Sequence, residues 1–365
     1  MKRPRPVTVR LARSWAFSSA LLALLLTLLL ALSLALPGNR ARAQPPAFAP
    51  RVDTVPVRGA LRADTAWSQS LGIRKRLLVY LPPSYLVDST TRYPVLFYLH
   101  GLTGAEDNWL QLARLDRVMD SLIARGAAEV IIAMPDGDDS WYTTWATLPN
   151  AAACQVDTAR REPAASFCVP WPHYDDYIAR DLVAHVDRTY RTRADARHRG
   201  IAGLSMGGFG AVTLALRYPD VFSAAASHSG VLAPALLGPR PFREPALWAR
   251  TPAELREAAG RRYAWFAPVF GTDTIGWYAR DPGRLAARLV TAGTSVPSLW
   301  IDCGLRDVFL DQNRAFVATL RSLGLSYRYH EPDGGHDWNY WRAQLPHSLT
   351  WLVAQVADPS VPDSR

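Results

Sequence analysis

The chain has 365 residues, 49% hydrophobic and 20% charged, with a formal net charge of +9; that length can bury a large core, and one α/β domain of roughly 250 to 300 residues with trimmings is the simplest division. A basic balance invites a nucleic-acid partner, but most of the charge lies in the first 43 residues, where Lys2, Arg3, Arg5, Arg10, Arg13, Arg40 and Arg42 meet no acid. The rest is close to neutral, which removes the argument for nucleic acid, and no internal repeat divides it.

In chain order, a basic start, the apolar run "SWAFSSALLALLLTLLLALSLAL", the helix-breaking Pro37 and Gly38, and "ARAQ" read as an export signal over 1–43, with an A-x-A site after Ala43. The run is also long enough to span a bilayer as an uncleaved anchor, the one route to a membrane partner. Both readings place the remainder outside the cytoplasm, periplasmic or extracellular. Residues 44–52 read as a Pro-rich linker, 53–356 as the main domain and 357–365 as a frayed tail.

Within the main domain, short apolar runs at 76–82, 94–100, 129–135, 199–205, 222–230, 298–304 and 325–332 read as strands, and segments at 112–126, 174–190, 208–218 and 313–324 as helices. This alternation predicts a mostly parallel sheet covered on both faces, whose ligands bind beyond the carboxyl ends of the strands. Residues 232–294 form a long interval with Trp248, Trp265, Phe270 and Trp277, an insertion that caps a site or adds core.

The loops after the strands carry the chemistry. "HGLTG" after the second run offers a glycine-bearing turn, with the Leu102 N–H as a candidate anion donor. "DSWYTTW" after the third presents Trp141, Tyr142 and Trp145, either stacking faces for a sugar or aryl group or aromatics that anchor the loop. Cys154 and Cys168 flank a polar loop and either pair as a disulfide or stay as thiols; Cys303 reads as a buried thiol. "GLSMG" places Ser205 between Gly203 and Gly207 at a strand-to-helix turn, the G-x-S-x-G elbow, with the Met206 N–H as a second donor.

A serine hydroxyl needs a base and a group to orient that base. His336, in "GGHDW" after the last strand, has the position and chain order for the base, whereas His100 and His228 precede or lie too close to Ser205. Among nearby acids, Asp302 is still at a strand end and Asp311 is inside the next helix; Asp307, in the loop between, is the preferred orienter, with a helix N-cap as its alternative role. No H-E-x-x-H or paired C-x-x-C occurs, so neither a catalytic metal nor a cofactor is expected.

Together "VYLPPSY", "LFYLHGLTG", "MPDG" followed by "SWY", "GLSMGGFGA", "DCGLRDVFLDQN" and "GGHDWNYW" resemble the esterase D-like family of α/β-hydrolases. That family includes feruloyl and acetylxylan esterases, S-formylglutathione hydrolases, enterochelin esterases and mycobacterial mycolyltransferases. The resemblance implies an α/β-hydrolase fold, a triad of Ser205, Asp307 and His336, oxyanion donors at Leu102 and Met206, and a small-molecule or glycan-linked ester as partner. The Cys154 to Cys168 segment departs from the pattern as an inserted loop. Acyl transfer uses the same triad, and a thioesterase or a carbohydrate-binding protein that keeps only the fold are further alternatives.

Overall fold

A computed structural model describes residues 58–148, 150, 154 and 168–357. The expected export segment 1–43, the linker 44–52 and all but the first residue of the tail 357–365 lie outside the described residues. The central sheet has eight strands: β1 (Ala60–Ser68), β2 (Ile73–Leu81), β3 (Val95–Leu99), β4 (Ile131–Pro135), β5 (Arg199–Leu204), β6 (Ala224–His228), β9 (Ser298–Asp302) and β10 (Arg328–His330). Their spatial order is β1-β2-β4-β3-β5-β6-β9-β10. β1 pairs antiparallel with β2, and β2 with β4; every later neighbour is parallel.

The apolar runs become strands because both faces of the sheet are covered, and β3 to β6 are buried at every position. Alternate residues of β3 enter different layers: Val95, Phe97 and Leu99 pack with the Met206–Arg217 helix, Leu96 and Tyr98 with the Trp338–Ala357 helix. β1 has no such signal in sequence. It is an edge strand, mostly exposed, with Arg62 and Asp64 among its residues, and its register against β2 supplies the pairing. The helix expected at 112–126 is two, Asn108–Ala113 and Leu115–Ala124, broken where Arg114 takes a left-handed φ of 55°.

The interval between β6 and β9 contains a small antiparallel pair, β7 (Leu236–Gly238) and β8 (Leu247–Trp248), then helices Pro252–Ala259, Tyr263–Phe270, Thr274–Ala279 and Pro282–Thr291. Phe266, Phe270 and Trp277 are almost wholly buried against one another, with ring centroids 5.4 to 5.5 Å apart. At about 1.5–3 kcal/mol per fully buried large side chain, that cluster makes the interval a packed layer. Its last helix lies on the Met206–Arg217 helix and belongs to the layer that covers the sheet.

Asp281 caps this last helix, Oδ1 accepting from Arg284 N–H at 2.9 Å, while Oδ2 is buried with no hydrogen-bond partner among the described residues. Burial pushes its carboxyl up to about 6. An acid whose folded pKa is raised binds its proton more tightly in the folded state, so this group's contribution to stability is lost as pH rises from about 4 through 6. Asp281→Asn, which keeps the capping oxygen, is therefore expected to stabilise the protein by about 1–3 kcal/mol at pH 7.5 and to lose that advantage near pH 4. Denaturant melts across that range test it, and a difference independent of pH would refute it.

Candidate active site

β5 ends at Leu204 and the Met206–Arg217 helix begins two residues later, leaving Ser205 alone on the turn with φ 53° and ψ −115°. The flanking glycines are required by close approach. A Cβ on Gly203 would lie 2.3 Å from the carbonyl carbon of Gly207, and one on Gly207 would lie 2.4 Å from the Leu99 oxygen. The serine's own N–H donates to His228 O at 2.8 Å and its carbonyl accepts from Phe209 N–H at 3.0 Å, so the strained turn is held from both sides.

The structure brings His336 and Asp307 to this serine. Ser205 Oγ lies 2.9 Å from His336 Nε2, and His336 Nδ1 lies 2.9 and 3.1 Å from the two carboxylate oxygens of Asp307. A carboxylate accepts only, so Nδ1–H donates to it and Nε2 is left to receive the serine proton. The Asp307 side chain is sealed from solvent and its Oδ1 also accepts from Phe309 N–H at 2.8 Å. The two loops are zipped by main-chain bonds, Leu305 N–H to Pro332 O and Arg306 N–H to Gly334 O, at a place where a Cβ on Gly304 would meet Gly334 O at 2.4 Å. Edge-to-face contacts with Phe309 and Trp341 fix the imidazole plane. The other carboxylates beside His336 are engaged elsewhere: Asp333 with Arg306, Asp337 with the N–H groups of Asn339 and Tyr340.

Asp302 and His228 form a second pair that sequence reasoning did not foresee. His228 Nδ1 lies 2.8 Å from Asp302 Oδ2 and its Nε2 lies 2.9 Å from Ser348 Oγ, all three residues being completely buried. Asp302 also accepts from Trp300 Nε1–H and Tyr340 O–H, each at 2.8 Å. This Ser-His-Asp array has no access to any substrate. It secures the floor of the site, since His228 O holds the Ser205 amide and Asp302 O accepts from Ser229 N–H at 2.7 Å. Asp311 is further away in function, accepting from Phe242 N–H at 2.7 Å.

Gly101 and Leu102 border the serine across a cleft of about 360 Å³. The N–H groups of Leu102 and Met206 have no acceptor among the described residues, as suits donors awaiting a ligand oxygen. His100 braces this loop: Nε2 accepts from Gly137 N–H at 2.9 Å, so Nδ1–H donates to Gly101 O at 2.8 Å. Below it Lys75, buried, joins Asp136 and Asp138 at 2.7 and 2.8 Å.

Of the two roles left open for the three aromatics after β4, the structure places them nearer to that of loop anchors. Trp141 reaches the cleft but is only 3% exposed, wedged among Phe209, Phe266 and Phe270. Tyr142 and Trp145 do not line it. Consecutive left-handed φ angles at Trp141 and Tyr142, 57° and 50°, fold the segment back into the protein. Tyr142 then fills a notch left by Gly137 and Gly210 and donates to His100 O at 3.1 Å, burial pushing its phenol well above the ordinary range. Trp145 stacks on Tyr174 and donates to Ser140 O. In their place Trp265, Phe309, Trp338, Trp341 and Arg262 line the cleft. Trp338 and Trp341 stand in the "GGHDWNYW" motif, two and five residues after the histidine, a spacing that could have flagged them. Cys154 and Cys168 are joined as a disulfide with Cα atoms 5.6 Å apart, and Cys303 is buried, its thiol pushed up by burial. Among the described residues no His, Cys, Asp or Glu cluster could hold a metal, and no helix is long and apolar enough to cross a membrane.

Mostly parallel sheet, helices on both faces and a strand-to-helix elbow define an α/β-hydrolase, and the protein's relatives make it a carboxylic-ester hydrolase. The chain belongs to the Esterase family, whose model, described as "Putative esterase", matches residues 68–352. It is 23% identical over 264 residues to an acetyl esterase of Caldicellulosiruptor saccharolyticus, covering 72% of this chain and 84% of that protein. It is 28% identical over 300 residues to an esterase of Mycobacterium tuberculosis, covering 80% of this chain but 59% of that longer protein. A solved ferulic acid esterase superposes with a TM-score of 0.58 at 25% identity, covering 82% of this chain and 99% of the other.

Proposed function

We propose that the enzyme hydrolyses esters through Ser205 as nucleophile, His336 as general base and then acid, and Asp307 as orienter. The observation that carries this is the unbroken hydrogen-bonded line from Ser205 Oγ through His336 to Asp307 opening on an apolar cleft. His336 Nε2 takes the hydroxyl proton as Oγ attacks the acyl carbon, and the N–H groups of Leu102 and Met206 receive the oxyanion. The C–O bond to the alcohol then breaks, the alcohol leaving with the proton held by His336. Water, activated by the same imidazole, cleaves the acyl-enzyme and returns Ser205. Asp307 holds the tautomer and stabilises the imidazolium.

The substrate is an acylated carbohydrate or a related aryl or alkyl ester. Support comes from the aromatic walls of the cleft, Trp265 above all, which is 55% exposed, and from the acetyl and ferulic acid esterases among the relatives. Action outside the cytoplasm is supported by the signal-like start and by the Cys154–Cys168 bond, which persists in oxidising compartments. Covalent labelling tests the mechanism: a fluorophosphonate should modify one residue, and mass spectrometry of the digest should find it on Ser205. Labelling elsewhere, or none with an ester-hydrolysing preparation, would overturn the assignment.

A further inference from the structure

The layer between β6 and β9 lends the cleft one charged side chain, Arg262, half-buried at the start of the Tyr263–Phe270 helix. Its guanidinium lies over the Phe309 ring, 4.8 Å from the centroid, two residues beyond Asp307 in sequence. Other partly buried arginines of this protein meet acceptors: Arg314 pairs with Glu331, and Arg280 donates to the Thr144 and Gly276 carbonyls. Arg262 has no carboxylate in ion-pair reach and no hydrogen-bond acceptor among the described residues.

The charges around it sharpen this contrast. Burial and the neighbouring Arg240 and Arg261 disfavour its cation, pulling its pKa down from the usual arginine value, and only Asp307 acts the other way. That carboxylate is committed to His336 and to Phe309 N–H. A guanidinium keeps its charge at any working pH, so a half-buried fork of donors borders the cleft with no carboxylate in ion-pair reach among the described residues, the arrangement that a bidentate carboxylate completes.

We infer that Arg262 is a specificity residue that receives a carboxylate carried by the substrate, so that the preferred substrates are anionic esters such as an acylated acidic sugar or a half-ester of a dicarboxylic acid. This rests on the reading of Ser205 as nucleophile only for its kinetic test. Aromatic stacking and ion pairing then act together, the Phe309 face holding the guanidinium in plane while the carboxylate takes its N–H edge.

The test compares kcat/KM for 4-nitrophenyl hydrogen glutarate and adipate with the neutral pentanoate and hexanoate, and for 4-carboxyphenyl butanoate with phenyl butanoate, so that an anion on the acyl side is distinguished from one on the alcohol side. In one of these pairings the wild type should favour the anionic ester at least tenfold, the preference shrinking with added salt. Arg262→Gln should reduce that ratio at least tenfold, mainly through KM, and Arg262→Lys should restore part of it. Calorimetric titration of Ser205→Ala with the same esters reads the preference without turnover. If that titration and the kinetics show the same anionic-to-neutral ratio with and without Arg262 on every arm, the inference falls while the esterase reading stands. Hydrolysis that survives Ser205→Ala, with anion binding still lost in Arg262→Gln, would instead sink the nucleophile and leave Arg262 in place.

Discussion

Replacing Ser205 by glycine is expected to abolish ester turnover and to make the protein more stable. The serine sits at φ 53°, ψ −115°, a conformation that costs a non-glycine residue about 1–3 kcal/mol. Glycine adopts it freely, against an entropic cost of about 0.5–1 kcal/mol; the lost Oγ hydrogen bond faces the cleft, where water replaces it. The balance is a gain of about 1 kcal/mol, or about 2 °C in Tm. Ser205→Ala loses the same chemistry but keeps the strain. Both variants should therefore fall by about 10⁵ to 10⁶ in kcat, while only glycine melts higher. Turnover retained in either variant would remove Ser205 from the mechanism, and a glycine variant less stable than the alanine one would show that the turn stores no strain.

The two Asp–His pairs should separate cleanly when each acid is converted to its amide. Asp307→Asn is expected to lower kcat by about 10⁴, because an amide that donates to Nδ1 leaves the proton on Nε2, where the serine proton must go. Stability should change little, since the Asn oxygen can still accept from Phe309 N–H. Asp302→Asn should do the reverse. Its carboxylate receives His228, Trp300 and Tyr340 in a place closed to water, and an NH₂ there either opposes an N–H donor or obliges the Tyr340 hydroxyl to turn and accept, at a cost of about 1–3 kcal/mol. Kinetics on folded protein and urea melts of both variants decide the matter. A collapse of kcat in Asp302→Asn without loss of stability would move the orienting role to that residue.

What could be read in the sequence was what local pattern dictates. Buried parallel strands are continuous apolar runs, so β3 to β6 were legible, and the glycines around Ser205 announced a turn that only small residues permit. Chain order separated His336 from His228, and loop position separated Asp307 from Asp302. Where contacts distant in sequence decide the outcome, the reading failed. β1 is a strand because β2 offers it an edge, not because of its own residues. For Tyr142 the sequence left a binding face and a loop anchor both open, and the ring turns inward because Gly137 and Gly210, one of them 68 residues away, leave room for it. Arg262 and Trp265 lie in a stretch whose pattern says only that it packs, and their facing the cleft depends on how that whole layer settles over the sheet.

The layer that contributes Arg262 and Trp265 leaves the sheet after β6 and returns into β9, and these two strands are immediate parallel neighbours. Its entry and exit are thus fixed by hydrogen bonds that do not involve the layer itself, while Ser205, Asp307 and His336 hang from strand ends outside it. Its Pro282–Thr291 helix and the Phe266, Phe270 and Trp277 cluster pack on the Met206–Arg217 helix and Trp141 and have to stay, but the cleft-facing positions on it can change without moving the strand ends that carry the reacting groups. Chemistry and part of the selectivity are then separable: Arg262 and Trp265 are cleft positions that do not carry the triad, and rewriting them on an otherwise unchanged layer is the economical way to redirect such an enzyme.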